Sequence, residues 1–565
     1  MDLNKQALIS LLLITSLGVA SFSFAENPNA LYEAFIPGYT IPHARDIVVD
    51  DAGNAYLIAS EYQDGQHLDL LVFKIDTLGN LVWTQYIVGN SHDYATGIAL
   101  NSIGEVWVTG WTDSSDFPMV NPMDGTLTGF RDVFLMKLDP ADGHIAYSTF
   151  IGGDYADTGQ SIAIGLNDEI YLTGEAGSTD FPTTPDAYQS GPSFPEYFYQ
   201  DAFIAKLSPE GNEILYSTYF GGTHDDWGDH IALDAEGNII IAGRSDADDF
   251  PLVDAYDSTP KDIFISKLSA DGSTLLFSSF FGGSDYDRLI DMRSDGDGNL
   301  YLAGGTRSVN FPTTSGAYQE YFVGSINGCE VPFGQDYNCE DFFVSKLSTN
   351  GDGLHWSTFL GGSRVEFAKG IDFDTQGDAY LAGYTGSDDF PMYPGTFGAA
   401  IVVCKIGGEG SELEWMHSVD SGSANRGNGI ALDGQGDIYF TGTVGVPASI
   451  YVSKLQGDRV TSIDEGPASH AGLLLAVNYP NPFNPKTSIA YTIPEGSDPE
   501  RVGLGIYDVG GRLLKQLVDE TQPSGSYDVV WDGRDEGGRQ QSAGVYFYRL
   551  RWGQVELSKS MVMVK

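Results

Sequence analysis

The sequence predicts an all-β protein, and three observations carry the prediction. A unit resembling Lys-Leu-Ser, a Gly turn and Leu-Tyr-Ser-Thr-Phe-Gly-Gly recurs in seven copies, each marked by a lysine followed by Leu or Ile: Lys74, Lys137, Lys206, Lys267, Lys346, Lys405 and Lys454. Self-similarity at a period of about 50 to 80 residues means an array of like supersecondary units. Aromatic residues make up 12% of the chain, and Val, Ile and Tyr are frequent, which favours strands. No long stretch shows the 3.6-residue period of an amphipathic helix, while 70 glycines and 25 prolines supply turns.

Taken in order, residues 1–25 read as a secretory signal peptide. Lys5 precedes an apolar run from Ala7 to Ala20, and Ser23 and Ala25 offer small residues at the cleavage positions. The mature chain is therefore expected to be secreted or surface-held, cleaved near Ala25, with no later segment apolar enough to span a bilayer.

Each repeat then reads as four strands. The first is Ile-Ala-Leu-Asp-like (Ile231 to Leu233), followed by an Asp- and Gly-bearing turn such as Asp234-Ala235-Glu236-Gly237-Asn238. The second is Tyr-Leu-Ala-Gly-like (Tyr301 to Gly304), the third carries the lysine, and the fourth resembles Leu215 to Phe220. The first three types occur seven times, but the fourth follows only six of them. The missing copy lies at the front, where Leu31 to Gly38 resembles Leu215 to Gly222. An N-terminal strand that completes the last four-stranded sheet closes a ring and removes its edges. Residues 26–460 are thus expected to form a seven-bladed β-propeller. A linker at residues 461–475 follows, then short β runs at residues 476–565 that read as a small Ig-like β-sandwich.

These residues carry two resemblances. The Ile-Ala-x-Asp-x-x-Gly-Asn-x-Tyr hairpin with its lysine strand and Gly-Gly is similar to the bacterial β-propeller (SBBP-type) repeat family, which implies the fold and no shared chemistry. In the C-terminal segment, Asn478 to Pro485, Ile506 to Arg512, Gly544 to Leu550 and the final Lys559 to Lys565 resemble the sorting domain of type IX secretion cargo. That resemblance implies the type IX machinery as a partner, with Lys559 and Lys565 in the sorting strand. Trp531 to Arg539 instead resembles the Ig-like module of flagellar hook-capping proteins, which implies a plain stalk.

Charge narrows the partners. The net charge is −49, and the acid sits almost wholly in the repeats. Nucleic acid and anionic membrane surfaces need a basic footprint and are poor partners. Cations, glycans and basic proteins remain open. Among three cysteines, Cys329 and Cys339 are expected to pair as a disulfide in an oxidising compartment, and Cys404 reads as a small buried residue.

Candidate sites fall on the rim that bears the long loops between second and third strands, together with the links between blades. His224, Asp225, Asp226, Trp227 and Asp229 form the densest polar cluster and are the binding candidates. Asp154 with Asp157, and Asp285 with Asp287, offer oxygens of the kind Ca²⁺ takes, although carboxylates there also cap turns. The repeated Asp-Phe-Pro (Asp116-Phe117-Pro118 and its sisters) and the seven lysines read as scaffold. No Gly-x-Ser-x-Gly elbow, zinc motif or phosphate loop occurs, so no catalytic residue is assigned. The expectation is a surface propeller that binds a glycan or a protein. The alternatives are a polysaccharide-acting enzyme using rim carboxylates, or a purely structural envelope protein.

Overall fold

The computed structural model describes residues 30–36, 43–62, 67–193, 199–260, 262–324, 340–349, 353–387, 389–391, 400–419, 426–444, 449–457, 474–475, 485–493, 499–507, 512–541, 544–552 and 555–563. The chain divides into two compact units, Met1–Arg459 and Val460–Lys565. Every named element in both is a strand. The predicted signal peptide, Cys329, Cys339 and Lys565 lie outside the described residues.

The first unit is a ring of seven four-stranded antiparallel sheets. Their first strands are His43–Val49, Asp93–Leu100, Asp157–Ile164, Asp226–Leu233, Asp287–Ser294, Glu366–Phe373 and Arg426–Leu432. These strands neighbour one another around a closed circle and line a central channel. Six sheets run in simple chain order. The seventh is completed by Ala30–Ile36, which pairs antiparallel with Ser449–Leu455, from Ile36 opposite Ile450 to Ala30 opposite Leu455. The expected closure from the front of the chain is therefore the observed one.

The turns explain the strand spacing. Asp234 Oδ1 accepts the backbone N–H groups of Glu236 and Asn238, at 3.1 and 2.8 Å, while Gly237 takes a φ of +78°. A carboxylate that caps its own turn and a glycine in the left-handed region make a tight reversal cheap. The same Asp then receives the repeat lysine: Lys267 Nζ lies 2.7 Å from Asp234 Oδ2. Lys454 sits 3.2 and 3.0 Å from Asp433 and Asp437, and Lys405 sits 2.9 Å from Asp378. In six blades the ammonium also lies over an aromatic ring of the second strand, as with Lys346 at 4.6 Å from Tyr301 and Lys454 at 4.6 Å from Tyr439. The lysine is a scaffold residue that ties turn, second strand and third strand together.

The core lies between blades. Second and third strands are buried on both faces, and each apolar cluster mixes side chains from two adjacent sheets. The Phe of Asp-Phe-Pro, and of its Asn310-Phe311-Pro312 counterpart, plugs these seams: Phe250 lies 4.4 Å from Phe264 and Phe311 lies 4.3 Å from Phe343, ring centre to ring centre. Its Asp caps the link that enters the same blade. Asp180 Oδ1 accepts the N–H of Asp154 at 2.8 Å, and Asp249 Oδ1 that of Thr223 at 2.8 Å. Cys404 is buried in this core, as expected.

The second unit is a small β-sandwich. Its sheets are Leu474–Leu475, Thr487–Ile493 and Gly525–Trp531, and Leu513–Gln522, Glu500–Tyr507, Gly544–Trp552 and Val555–Met563. They enclose one core around Tyr491, Leu504, Trp531 and Tyr548. Lys559 pairs with Tyr548 in the last strand.

Candidate functional site: the mouth of the central channel

One irregularity repeats in every blade. The ladder between first and second strands slips between Ala44 and Asp46, Ala95 and Gly97, Gly159 and Ser161, Gly228 and His230, Leu289 and Asp291, Ala368 and Gly370, and Gly427 and Ile430. A β-bulge leaves its extra residue unpaired and re-aims the side chain. The skipped residues Arg45, Thr96, Gln160, Ile290 and Lys369 line the channel, and Asp229 lines its mouth. One scaffold position thus presents a different side chain in each of these blades.

A second ring lies just above the bulges, on the rim of the long loops. Here the second residue of each first strand faces a cross-strand partner: Tyr94 opposite Trp111, Thr158 opposite Glu175, Trp227 opposite Arg244, and Phe367 opposite Tyr384. Tyr94 and Trp111 stack at 5.1 Å with planes 18° apart. The Arg131 guanidinium lies 3.7 Å over Trp111, and that of Arg45 lies 4.3 Å over Tyr94. The result is a four-layer stack, Arg131–Trp111–Tyr94–Arg45. Arg244 lies 4.7 Å over Trp227 and 3.2 Å from Asp229. Arg288 contacts Glu340 at 2.6 Å. Of these residues Arg45, Tyr94, Trp111, Asp229, Arg244 and Arg288 border a cavity of about 510 Å³ at the mouth, lined by three arginines and one aspartate.

Deeper in the channel, Arg293 is held by carboxylates. Its Nη1 lies 2.7 Å from Asp291 Oδ1. Burial disfavours the charged guanidinium, yet Asp291, Asp46 and Asp372 together hold it above its usual range. Burial pushes Asp46 up to about 6, against the pull of Arg293. His230, 4.0 Å from Asp291, is driven down by burial and stays neutral at neutral pH.

The blade junctions hold a further repeated feature. Asp93, Asp157, Asp226, Asp287 and Glu366 open the first strands of five blades, and all are buried. Four of them accept the N–H of the preceding Gly: Gly153, Gly222, Gly283 and Gly362, at 2.8, 2.6, 2.6 and 3.3 Å. Each of the five feels a second acid at or beside the start of the third strand of the blade before it: Asp69, Asp132, Asp201, Asp262 or Asp341. Burial, with that neighbour's charge added, pushes Asp226 up to about 7 and Glu366 up to about 8.

Family models agree with this architecture. A family model described as a beta-propeller repeat (SBBP) matches residues 215–251 and 355–391, and one described as the FlgD Ig-like domain matches residues 484–551. The chain carries SBBP β-propeller repeats and a C-terminal FlgD Ig-like domain. It is 25% identical over 173 residues to the regulatory protein FlaEY of Caulobacter vibrioides, a match covering 30% of this chain and 18% of that protein. Among solved structures, the polysaccharide lyase Uly1 aligns at 11% identity and a TM-score of 0.41, over 74% of this chain and 91% of its own. The β-propeller domain of the Trilobed protease from Pyrococcus furiosus aligns at 9% identity and a TM-score of 0.36, over 76% of this chain and 100% of its own.

Within the SBBP propeller, the residues singled out from the sequence separate. Trp227 and Asp229 border the mouth, Trp227 through its contact with Arg244. Asp226 is buried at a blade junction, and Asp225 accepts the N–H of Gln200 at 2.9 Å. His224 is exposed, its ring 5.2 Å from that of Tyr199. Asp157 and Asp287 sit inside the junctions, engaged by Gly153 and Ser178 and by Gly283 and Ser308 respectively. Asp154 is exposed, and Asp285 donates its N–H to Ser308 Oγ at 2.8 Å. Among the described residues the one group of three acid or His side chains close enough to share a cation is Asp139, Asp142 and His144, on a turn of the opposite rim.

Reading the sequence alone missed Arg45, Tyr94, Trp111, Arg131, Arg244 and Arg288. A signal was present: they fall at or beside the positions that differ between copies. In Asp93-Tyr94-Ala95, Asp226-Trp227-Gly228 and Glu366-Phe367-Ala368 the flanks persist while the centre changes.

Proposed function

We propose that this protein is an exported, ligand-binding propeller whose ligand, a glycan or another protein, docks at the channel mouth. The observation that carries the reading is the concentration of varied side chains at two rings of an otherwise repeated scaffold. Variation on a rigid frame, at the end bearing the long loops, is where recognition usually resides. The ring edges of Trp111 and Tyr94, with Trp227 behind Arg244, and the donors of Arg45 and Arg244 give that mouth both apolar and polar contacts. Export is supported by the Lys5 to Ala25 leader pattern and by the likeness of the C-terminal segment to type IX sorting domains, with Lys559 and Lys565 in the stretch of sequence that resembles the end of such domains.

The test is a glycan array and a surface-protein pull-down with the full chain, repeated with Trp227→Ala and with His224→Ala. Trp227→Ala should abolish capture of any hit, while His224→Ala, on an exposed loop outside the mouth, should leave it intact. Equal loss in both, or capture indifferent to Trp227, would place the site elsewhere.

A further inference from the structure

The ligand class follows from how the two kinds of cation are distributed. We propose that the mouth selects an anionic polysaccharide, one whose sugar rings carry carboxylate or sulfate groups. This rests on the reading of the mouth as a binding site and adds what it recognises.

In the propeller the repeat lysines serve the scaffold at the short-turn end. Lys137, Lys206, Lys267, Lys346, Lys405 and Lys454 each face a carboxylate there, and Lys74 donates to the Pro140 carbonyl at 2.8 Å. The arginines lie at the other end. Arg45, Arg244 and Arg288 line the mouth, and Arg131 and Arg307 lie against its lining residues Trp111 and Tyr286; each of the five is laid against an aromatic face at 3.7–5.2 Å. For a propeller that carries nearly all of a −49 charge, three arginines against one aspartate around a cavity make a local exception. Screening confines the repulsion of the remaining surface to about 8 Å at physiological salt, so a polyanion reaching the mouth meets mainly the mouth's own field.

Three of these arginines, Arg131, Arg288 and Arg307, are also incompletely used by the fold. Arg131 makes no ion pair among the described residues, and its Nε has no acceptor there. Arg288 Nη2 and Arg307 Nε likewise lack acceptors among the described residues, although both guanidiniums approach Glu340. A guanidinium fixed on an aromatic face keeps its fork of N–H donors pre-oriented, which suits the two oxygens of a carboxylate or the oxygens of a sulfate. The ring edges of Trp111 and Tyr94, whose faces are taken up in the stack, and the indole of Trp227 beside Arg244 offer apolar surface to the C–H groups of a sugar ring.

The experiment is isothermal titration of the full chain with polygalacturonate, dextran sulfate and uncharged dextran, at low and physiological salt. We expect at least one anionic polymer to bind about tenfold or more tightly than dextran, and to weaken as salt rises. The stronger of the two identifies carboxylate or sulfate as the recognised group. Arg131→Gln should weaken anionic binding about tenfold and reduce its salt dependence without moving the melting temperature, and Arg131→Lys should restore only part of the affinity. Equal affinity for dextran and both polyanions, still lost in Trp227→Ala, would overturn the anionic selection and leave the mouth as a binding site. No binding to any of the three would overturn the glycan reading itself.

Discussion

Glu366→Gln should make the propeller more stable, and increasingly so as pH rises. Glu366 is fully buried between blades five and six, where Thr385 donates to Oε1 at 2.9 Å and Gly362 to Oε2 at 3.3 Å. Burial and then the charge of Asp341 push its carboxyl up from 4.5 to about 8. Between those values the folded protein holds a proton that the unfolded chain has released. Stability is therefore fully present below about pH 4.5 and is lost as pH rises through about 8. At about 1.36 kcal/mol per tenfold, the gap corresponds to roughly 5 kcal/mol once the group is ionised. Glutamine has the same shape and no charge, and its amide can donate toward Asp341. Urea unfolding of wild type and variant at steps from pH 5 to pH 9 isolates the term, because the other junction acids contribute to both curves. The difference in unfolding free energy should grow by about 1.4 kcal/mol per pH unit and level off near pH 8. Parallel curves would refute the assignment of a proton to this junction.

Two further predictions concern the scaffold. Removing residues 30–36 leaves the last blade with an unpaired edge at Ser449–Leu455, so the melting temperature of the propeller should fall by many degrees, and an unchanged melt would refute the closure. Lys267→Met leaves Asp234 buried without its partner at 2.7 Å and should cost about 3–5 kcal/mol in denaturant titration. The double variant with Asp234→Asn should recover part of that loss, and a full additive loss would mean the two residues are not coupled.

The sequence made the ring legible because its signals are local and repeated. A turn such as Asp234 to Asn238 is specified by its own side chains, and each lysine marks one third strand. Counting fourth strands was enough to place Leu31 to Ile36 in the last blade. The mouth was harder to read for two physical reasons. A bulge is a property of the paired ladder, so nothing in the letters around Gln160 or Lys369 announces that the register slips there. The four-layer stack also joins residues from different blades: Arg131 lies just before a third strand, and Arg45 comes from the preceding blade's first. Carboxylates posed the opposite problem. Asp157 and Asp287 are visible in the sequence as oxygens free to bind a cation, but only the fold shows Gly153 and Gly283 turning their amides toward them.

The strand that completes the seventh blade also sets an order of events in time. Tyr451 donates to Glu33 across a separation of 418 residues, a contact between the two ends of the ring. Loop closure on that scale costs about 5 kcal/mol of chain entropy before any pairing rewards it. During synthesis the strand at Ala30–Ile36 must wait while six blades emerge, and at about 5–20 residues per second that wait lasts tens of seconds. Through that interval blade one lacks its neighbour, and the seam around Ile47, Leu57 and Phe73 stays open to water or to other chains. The last bonds to form are therefore the ones that make the propeller a single cooperative object, and its folding intermediates should be open arcs whose sticky ends are blades one and seven.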